Sequence, residues 1–141
     1  MKNFEKFKLK KKLVFVVGGL GVIGQEIVKA LSDAGARVAF TSRNDSSIKK
    51  SLSKLNKKKK NFHRGYLIDL SKKGNVKKLH GRIKKDFGGI DILINNIGHT
   101  LNKKNPFCKI EDWEKVMRLN FFTSVEMVNH FITDMKNKNW G

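Results

Sequence analysis

Short apolar runs alternate with longer amphipathic stretches four times along the chain. After the first run, Ile23, Ile27 and Leu31 recur at the spacing that places them on one face of a helix. The last run, residues 90–94, is almost continuously apolar, which is typical of a strand covered on both faces of a parallel sheet. This alternation predicts a doubly wound α/β fold with right-handed crossovers. The first, second and fourth predicted strands are residues 14–17, 37–41 and 90–94. The third lies within residues 61–70 and ends at residue 69.

Glycines and polar turns separate the predicted helices. Ala34-Gly35 follows the first helix and Gly88-Gly89 follows the third, as expected of residues that end helices. The other predicted helices are residues 47–55, 72–87 and 111–136. No linker rich in proline, glycine or serine divides the chain, and Pro106 is the only proline, so residues 1–141 are predicted to form one domain.

The formal net charge of +19 is the unusual feature of the composition. A basic chain raises the question of nucleic acid or an acidic membrane as a partner. The basic residues are mostly lysines scattered over every segment, with local runs at residues 10–12 and 57–60. No helix-turn-helix, zinc-finger or aromatic RNA-reading motif accompanies them. We therefore interpret the lysines as solvated surface and expect no specific nucleic-acid partner.

The N-terminal basic residues precede an apolar run and so imitate a secretory signal. The run contains several glycines, continues directly into an amphipathic helix and is too short to span a membrane. It is better interpreted as the first strand. The single cysteine, Cys108, excludes an internal disulfide and fits a reducing compartment. A cytoplasmic protein without a membrane partner is expected, and the histidines show no metal-ligand spacing.

A glycine-rich turn, residues 18–24, joins the first strand to the first helix. Gly18 would let the backbone reverse tightly, Gly21 would let a diphosphate approach the main-chain amides, and Gly24 would let helix and strand pack closely. The N-terminus of the helix would then face the phosphates. On the glycines alone, a tight turn that binds nothing remains an equal alternative.

Further polar motifs follow the later strands in a recognisable order. Asp69-Leu70 closes the third strand, Asn95-Asn96-Ile97-Gly98 closes the fourth, and Asn120 lies inside the long helix. With the glycine turn, this order and spacing resemble the short-chain dehydrogenase/reductase family over nearly the whole chain, from about residue 12 to residue 141. The resemblance implies a Rossmann-type sheet with strand order 3-2-1-4 in the part present.

The resemblance also implies a dinucleotide site. Asp69 would accept a hydrogen bond from the adenine amino group, Asn95 would hold the fourth strand to its neighbour, and Asn120 would bend its helix and belong to the catalytic network. His99 follows the fourth strand, where a loop histidine without a role is the simpler interpretation. The implied cofactor-binding residues are Gly18, Gly19, Leu20, Gly21, Val22, Ile23, Gly24, Ser42, Arg43, Asp69, Leu70, Asn96, Ile97 and Gly98.

The end of the second strand bears on which cofactor binds. Relatives that prefer NAD carry an acidic residue there, whereas this chain has Ser42 followed by Arg43. An arginine can pair with a 2′-phosphate that an aspartate would repel. The expected cofactor is therefore NADP(H), with NAD possible.

Two departures from the family pattern stand out. Val17 precedes the first glycine of the turn, where the family usually has a threonine. The glycine spacing is closer to the extended branch of the family, although residues 95–98 and Asn120 favour its classical branch. The family's proton-transfer group is a serine with a Tyr-x-x-x-Lys motif. The only tyrosine, Tyr66, lies in the third strand and is followed at the fourth position by Leu70. The chain is therefore expected to be a fragment, truncated after the helix that follows the fourth strand.

The resemblance implies hydride transfer between NADP(H) and a small carbonyl or alcohol, with 3-oxoacyl reduction as the default, in a parent protein that is a homo-oligomer. The missing acid-base residues leave open a non-catalytic dinucleotide-binding protein or a non-functional remnant. A nucleic-acid binder is a further alternative, and only the net charge of +19 favours it.

Overall fold

The computed structural model describes residues 9–56, 62–103 and 105–141. Most of the polar lead-in and the lysine run at residues 57–60 lie outside these ranges. Within them, no helix has the length and apolar character needed to cross a membrane.

A parallel four-stranded sheet forms the centre, with the strand order β3-β2-β1-β4. The strands are β1 (Leu13–Val17), β2 (Arg37–Ser42), β3 (Arg64–Leu67) and β4 (Ile92–Asn95). Val14 of β1 is in register with Val38 on one side and with Ile92 on the other. The predicted strand order is confirmed.

The helices are α1 (Val22–Asp33), α2 (Asp45–Asn56), α3 (Asn75–Phe87), α4 (Ile110–Met117) and α5 (Thr123–Asn137). Helices cover both faces of the sheet, and the side chains of β1 alternate between these two faces. Phe15 contacts Phe131, with ring centroids 5.1 Å apart, in the apolar cluster that contains α3 and α5 side chains. Val14 and Val16 belong to a second cluster with side chains from α1 and α2. All of β1 is buried, so a doubly wound sheet explains why this run is wholly apolar.

The region between β3 and α3 differs from the sequence prediction. β3 ends at Leu67 and α3 begins at Asn75. The Asp69 carboxylate accepts hydrogen bonds from the backbone N–H of Ser71 (3.0 Å) and from its hydroxyl (2.7 Å), and the Asn75 amide donates to the Asp69 carbonyl oxygen (2.7 Å). These side-chain bonds compete with strand and helix hydrogen bonding, so Asp69 lies in a turn beyond the strand.

The predicted long helix is interrupted at Asn120. A π-helical segment, Arg118–Phe122, joins α4 to α5, and we call it the π turn. The backbone N–H of Thr123 reaches the carbonyl of Arg118, five residues back, and the Thr123 hydroxyl donates to the same oxygen at 2.9 Å. Such single π turns inside α-helices are frequent at functional sites.

Candidate functional site

A cavity of about 340 Å³ lies at the carboxyl ends of the strands. Ligands bind at this edge of open α/β sheets. Of the predicted cofactor residues, ten line the cavity, which we call the crevice: Gly18, Leu20, Gly21, Ser42, Arg43, Asp69, Leu70, Asn96, Ile97 and Gly98. The other predicted site residues, Gly19, Val22, Ile23, Gly24 and Asn120, do not line it.

The glycine turn is held from both neighbouring strands. Gly18 has a φ of +68°, a conformation that side chains with a Cβ rarely adopt. Its N–H donates to the Thr41 hydroxyl on β2 (2.9 Å), and its carbonyl accepts from the side-chain amide of Asn96 after β4 (3.1 Å). The sequence did not predict that Thr41 holds the glycine turn, and Asn96 was predicted only to contact the cofactor.

Glycine at position 24 is required by packing, whereas position 21 is open. A Cβ at Gly24 would collide with the carbonyl oxygen of Gly18 and lie 2.9 Å from the Asn96 amide nitrogen. A Cβ at Gly21 would meet only the Gly18 oxygen, at 3.6 Å. Gly19 is buried, and its added Cβ would lie 2.6 Å from the Cβ of Phe40. Of the four glycines in this turn, Gly18 and Gly21 line the crevice, whereas Gly19 and Gly24 do not.

The first turn of α1 follows this backbone. Gly21 is its N-cap, no side chain caps it, and its first turn carries no acidic residue. Val22 and Ile23 are exposed at 84% and 69%. The first amides of a helix have no partner within the helix and carry its positive dipole end. This end of α1 is therefore open to an anion.

Asp69 and Leu70 lie beyond β3 at one end of the crevice. Both hydrogen bonds from Ser71 end on one carboxylate oxygen, Oδ1. The Ser71 hydroxyl lowers the pKa of Asp69, and partial burial opposes that effect. In the described part of the chain, Oδ2 has no hydrogen bond and remains free to accept one from a ligand. Leu70 is 3% exposed and provides apolar surface beside it.

Arg43 lies at the same end, after β2. It is exposed and forms no ion pair with the residues that the structure describes, although its charge lowers the pKa of Asp69. The nearby carboxylate of Asp45 is paired with Lys49. The Ser42 hydroxyl oxygen accepts the N–H of Asn44 at 3.1 Å, which leaves its proton available to a ligand. A donor-rich corner is the result.

The opposite end of the crevice is built by the segment after β4. Asn120, in the π turn, forms two hydrogen bonds with the backbone of His99. Its Oδ1 accepts the His99 N–H (2.8 Å), and its Nδ2 donates to the His99 carbonyl (2.9 Å). The Asn120 amide also donates to the Val116 carbonyl at 2.7 Å. Asn120 therefore fixes the loop that carries Gly98 and His99. Asn95, whose side chain is exposed, is in register with Val17 of β1.

Tyr66 lies away from the crevice. Its hydroxyl donates to the Asp86 carboxylate at 2.7 Å, and Asp86 also pairs with Arg64 at 3.1 Å. Burial, with the bond to Asp86, raises the pKa of Tyr66 well above its ordinary value. A buried and bonded phenol cannot protonate a substrate in the crevice. Among the described residues, no group of three His, Cys, Asp or Glu side chains could hold a metal ion.

Five further residues line the crevice without having been predicted as site residues: Thr41, Asn44, Ile68, His99 and Leu119. Thr41 gave one usable signal, since it is a hydroxyl at the end of an apolar run. Asn44, Ile68 and His99 reach the crevice through the loops after β2, β3 and β4, and Leu119 reaches it from the π turn.

The family model of short chain dehydrogenases matches residues 12–141. The 3-oxoacyl-[acyl-carrier-protein] reductase FabG of Haemophilus influenzae is 30% identical over 130 residues, covering 92% of this chain and 52% of that protein. The RhlG/NADP active-site complex of Pseudomonas aeruginosa is a similar structure, with a TM-score of 0.81 and 26% identity over 93% of this chain and 50% of that one. The NADPH and L-sorbose complex of L-sorbose reductase from Gluconobacter frateurii has a TM-score of 0.85 at 20% identity, over 94% and 50% of the two chains. The chain spans 40% to 57% of the length of the first curated relatives that it matches.

Proposed function

The chain belongs to the short-chain dehydrogenase family, and we propose that its crevice binds NADP(H) as the cofactor-binding part of a reductase. The reaction would transfer a hydride between that cofactor and a carbonyl or alcohol, with a 3-oxoacyl thioester as the default substrate because of the likeness to FabG. The nicotinamide ring supplies the hydride chemistry when bound, and the protein supplies binding and orientation.

One observation carries this proposal: the backbone opening at Gly18 and Gly21 lies between two chemically different ends of the same crevice. The uncapped N-terminus of α1 is suited to a diphosphate, and no Cβ at position 21 obstructs the approach. A nucleotide with its diphosphate there would extend toward β2 and β3 on one side and toward β4 on the other, since the sheet order is β3-β2-β1-β4.

The adenosine half would lie toward β2 and β3. The free oxygen of Asp69 would accept the adenine amino group beside the apolar surface of Leu70. Arg43 has no competing ion pair among the described residues and would pair with a 2′-phosphate, while the Ser42 proton would reach a ribose or phosphate oxygen. Arginine can form bidentate hydrogen bonds to phosphate oxygens, which lysine cannot form. NADP(H) is therefore favoured over NAD(H).

Asn120 would act on the reaction through the loop that it holds. It contacts His99 and Val116 and does not line the crevice. Its proposed role is to position the segment after β4 beside the nicotinamide. Tyr66 would not supply the proton for the substrate, since it is buried and bonded to Asp86.

The proposal is tested by calorimetric titration of the 141-residue chain with NADPH, NADH and adenosine 2′,5′-bisphosphate. Saturable one-site binding of NADPH, tighter than that of NADH, is expected. Failure of all three ligands to bind a chain that unfolds cooperatively would refute the cofactor site.

A second candidate is favoured by the environment of Tyr66: a dinucleotide-binding protein that performs no chemistry by itself. Both candidates share the crevice and differ only in turnover. Steady oxidation of NADPH in the presence of a panel of carbonyl compounds would exclude this second candidate.

An assembly of identical subunits in the cytoplasm is also proposed for the whole protein. The outer side of α4, the π turn and α5 exposes a row of large apolar side chains. The row consists of Ile110, Trp113, Met117, Phe121, Val125 and Val128. Exposed apolar patches of this kind are typical of interfaces. Light scattering after size exclusion would measure the assembly, and a monomer at all concentrations would contradict it.

A further inference from the structure

His99 lies at the end of the crevice opposite Arg43 and Asp69. It follows β4, whereas those two residues follow β2 and β3, and β1 with its glycine turn lies between them. If the diphosphate occupies the glycine turn and the adenosine lies toward β3, the β4 end receives the second nucleoside. This step rests on the function proposed above.

The position of His99 is fixed from two directions. The Asn120 side chain holds both its N–H and its carbonyl, so the backbone of His99 cannot shift without breaking two hydrogen bonds. On the other side, the chain turns sharply through Leu101 and Asn102, which have φ values of +53° and +61°. Side chains with a Cβ rarely adopt this left-handed region, and such residues cluster at functional sites.

The imidazole ring is fixed in one tautomer. The N–H of Leu101 donates to Nδ1 of His99 at 2.7 Å, so Nδ1 carries no proton and the proton of the neutral ring is on Nε2. Within the part of the chain that the structure describes, Nε2 has no hydrogen-bond partner. His99 therefore offers a single oriented N–H donor at the β4 end of the crevice.

The geometry points to a specific role for His99: its Nε2–H donates a hydrogen bond to an oxygen of the nicotinamide riboside of the bound cofactor. His99 is thus a binding residue that distinguishes the complete dinucleotide from its adenosine half. The strained turn at Leu101 and the grip of Asn120 serve to aim this donor.

The test compares NADP⁺ with adenosine 2′,5′-bisphosphate, which lacks the nicotinamide riboside, by calorimetry on the 141-residue chain. Replacing His99→Ala is expected to weaken NADP⁺ binding about three- to tenfold, the effect of one lost neutral hydrogen bond. Binding of the bisphosphate is expected to stay within about twofold, the small change expected when no contact is lost.

Two further variants separate the donor from the shape of the loop. In His99→Gln, the side-chain amide nitrogen reaches the place of Nε2 and should restore most of the NADP⁺ affinity. In His99→Asn, the shorter amide can accept the Leu101 N–H but cannot reach the ligand, so its affinity should match that of His99→Ala. Recovery by asparagine rather than glutamine would show that the ring only holds the loop and would overturn the inference.

The remaining outcomes are also decisive. If His99→Ala binds NADP⁺ as tightly as the original chain, or loses affinity for both ligands equally, the assignment to the nicotinamide riboside is wrong although the cofactor site stands. If the original chain binds neither ligand, the proposed function fails and the inference about His99 fails with it.

Discussion

The hydrogen bond between Thr41 and Gly18 offers a direct test of how the glycine turn is held. Replacing Thr41→Val keeps the shape of the side chain but removes the oxygen that accepts the Gly18 N–H at 2.9 Å. Thr41 is 3% exposed, so water cannot readily replace the lost acceptor. An unsatisfied buried N–H costs about 1–3 kcal/mol, and the added methyl group offsets about 0.8 kcal/mol of this by apolar burial. The difference between these two effects is a net destabilisation of about 0.2–2.2 kcal/mol.

The same change should weaken the binding of NADPH. With one of its two anchors lost, the turn would occupy its binding conformation for a smaller fraction of the time, and the apparent affinity falls by that fraction. The bond from Asn96 to the Gly18 carbonyl remains, so the loss should not exceed about tenfold, which corresponds to about 1.4 kcal/mol.

Urea unfolding and calorimetric titration measure the two effects. Thr41→Ser keeps the hydroxyl and loses a methyl group, so it is the matched control for burial. The serine variant should retain the NADPH affinity of the original chain, although it loses some stability. If Val and Ser bind NADPH equally well and the valine variant is as stable as the original chain, the hydroxyl does not hold the turn and the reasoning fails.

Three further changes test other parts of the structure. Replacing Arg43→Glu should lower the affinity for NADPH about ten- to a hundredfold by calorimetry and leave the affinity for NADH unchanged, because charge-assisted bonds are worth about 1.5–3 kcal/mol. The matched charge reversal Lys50→Glu on α2 should leave both affinities unchanged. Equal effects of the two substitutions would refute a contact between Arg43 and the phosphate. His63 is buried and accepts the Val38 N–H on Nδ1 at 3.1 Å, and burial lowers its pKa. Because the unfolded chain takes up this proton first, urea unfolding should show stability falling as the pH drops below about 6.5, by at most about 1.4 kcal/mol per pH unit; an identical slope in His63→Gln would contradict this. Replacing Tyr66→Phe should cost about 1.5–3 kcal/mol of stability through the lost bond to a charged group and leave the rate of NADPH oxidation with carbonyl compounds unchanged. Loss of turnover in this variant would show that Tyr66 reaches the substrate.

The sheet and its covering helices were predictable because burial dictates composition there. β1 is packed on both faces, so each of its side chains must be apolar, and such a run has few alternatives to a central parallel strand. Gly35 and Gly88, with φ values of +89° and +79°, terminate helices for a reason that is local to the residue itself. Features of this kind can be read without knowing what lies across the fold.

Features that depend on the folded conformation of a loop, or on a distant partner, could not be read in this way. The Asp69 side chain ends β3 early through its hydrogen bonds to Ser71. An aspartate within a strand-like pattern does not by itself predict such bonds. Thr41 shows an unusual hydroxyl, but nothing in the sequence identifies Gly18, 23 residues away, as its partner. For His99, the fixed tautomer depends on a left-handed turn that Leu101 and Asn102 adopt only in the folded loop. The prediction of a long helix was correct in extent, but a local periodicity does not distinguish an α-helix from one with a π turn.

The π turn accommodates one residue more than an α-helix would hold over the same path. If this segment became α-helical with all its residues kept, the two halves of the helix would rotate against each other by about 100°. If α5 kept Met127 and Phe131 against the sheet, where both are fully buried, the side chain at position 120 would turn away from His99. If Asn120 kept its grip on the loop, the apolar face of α5 would turn away from the sheet. The π turn therefore lets one continuous helix do both at once: Met127 and Phe131 stay against the sheet while Asn120 bonds to His99.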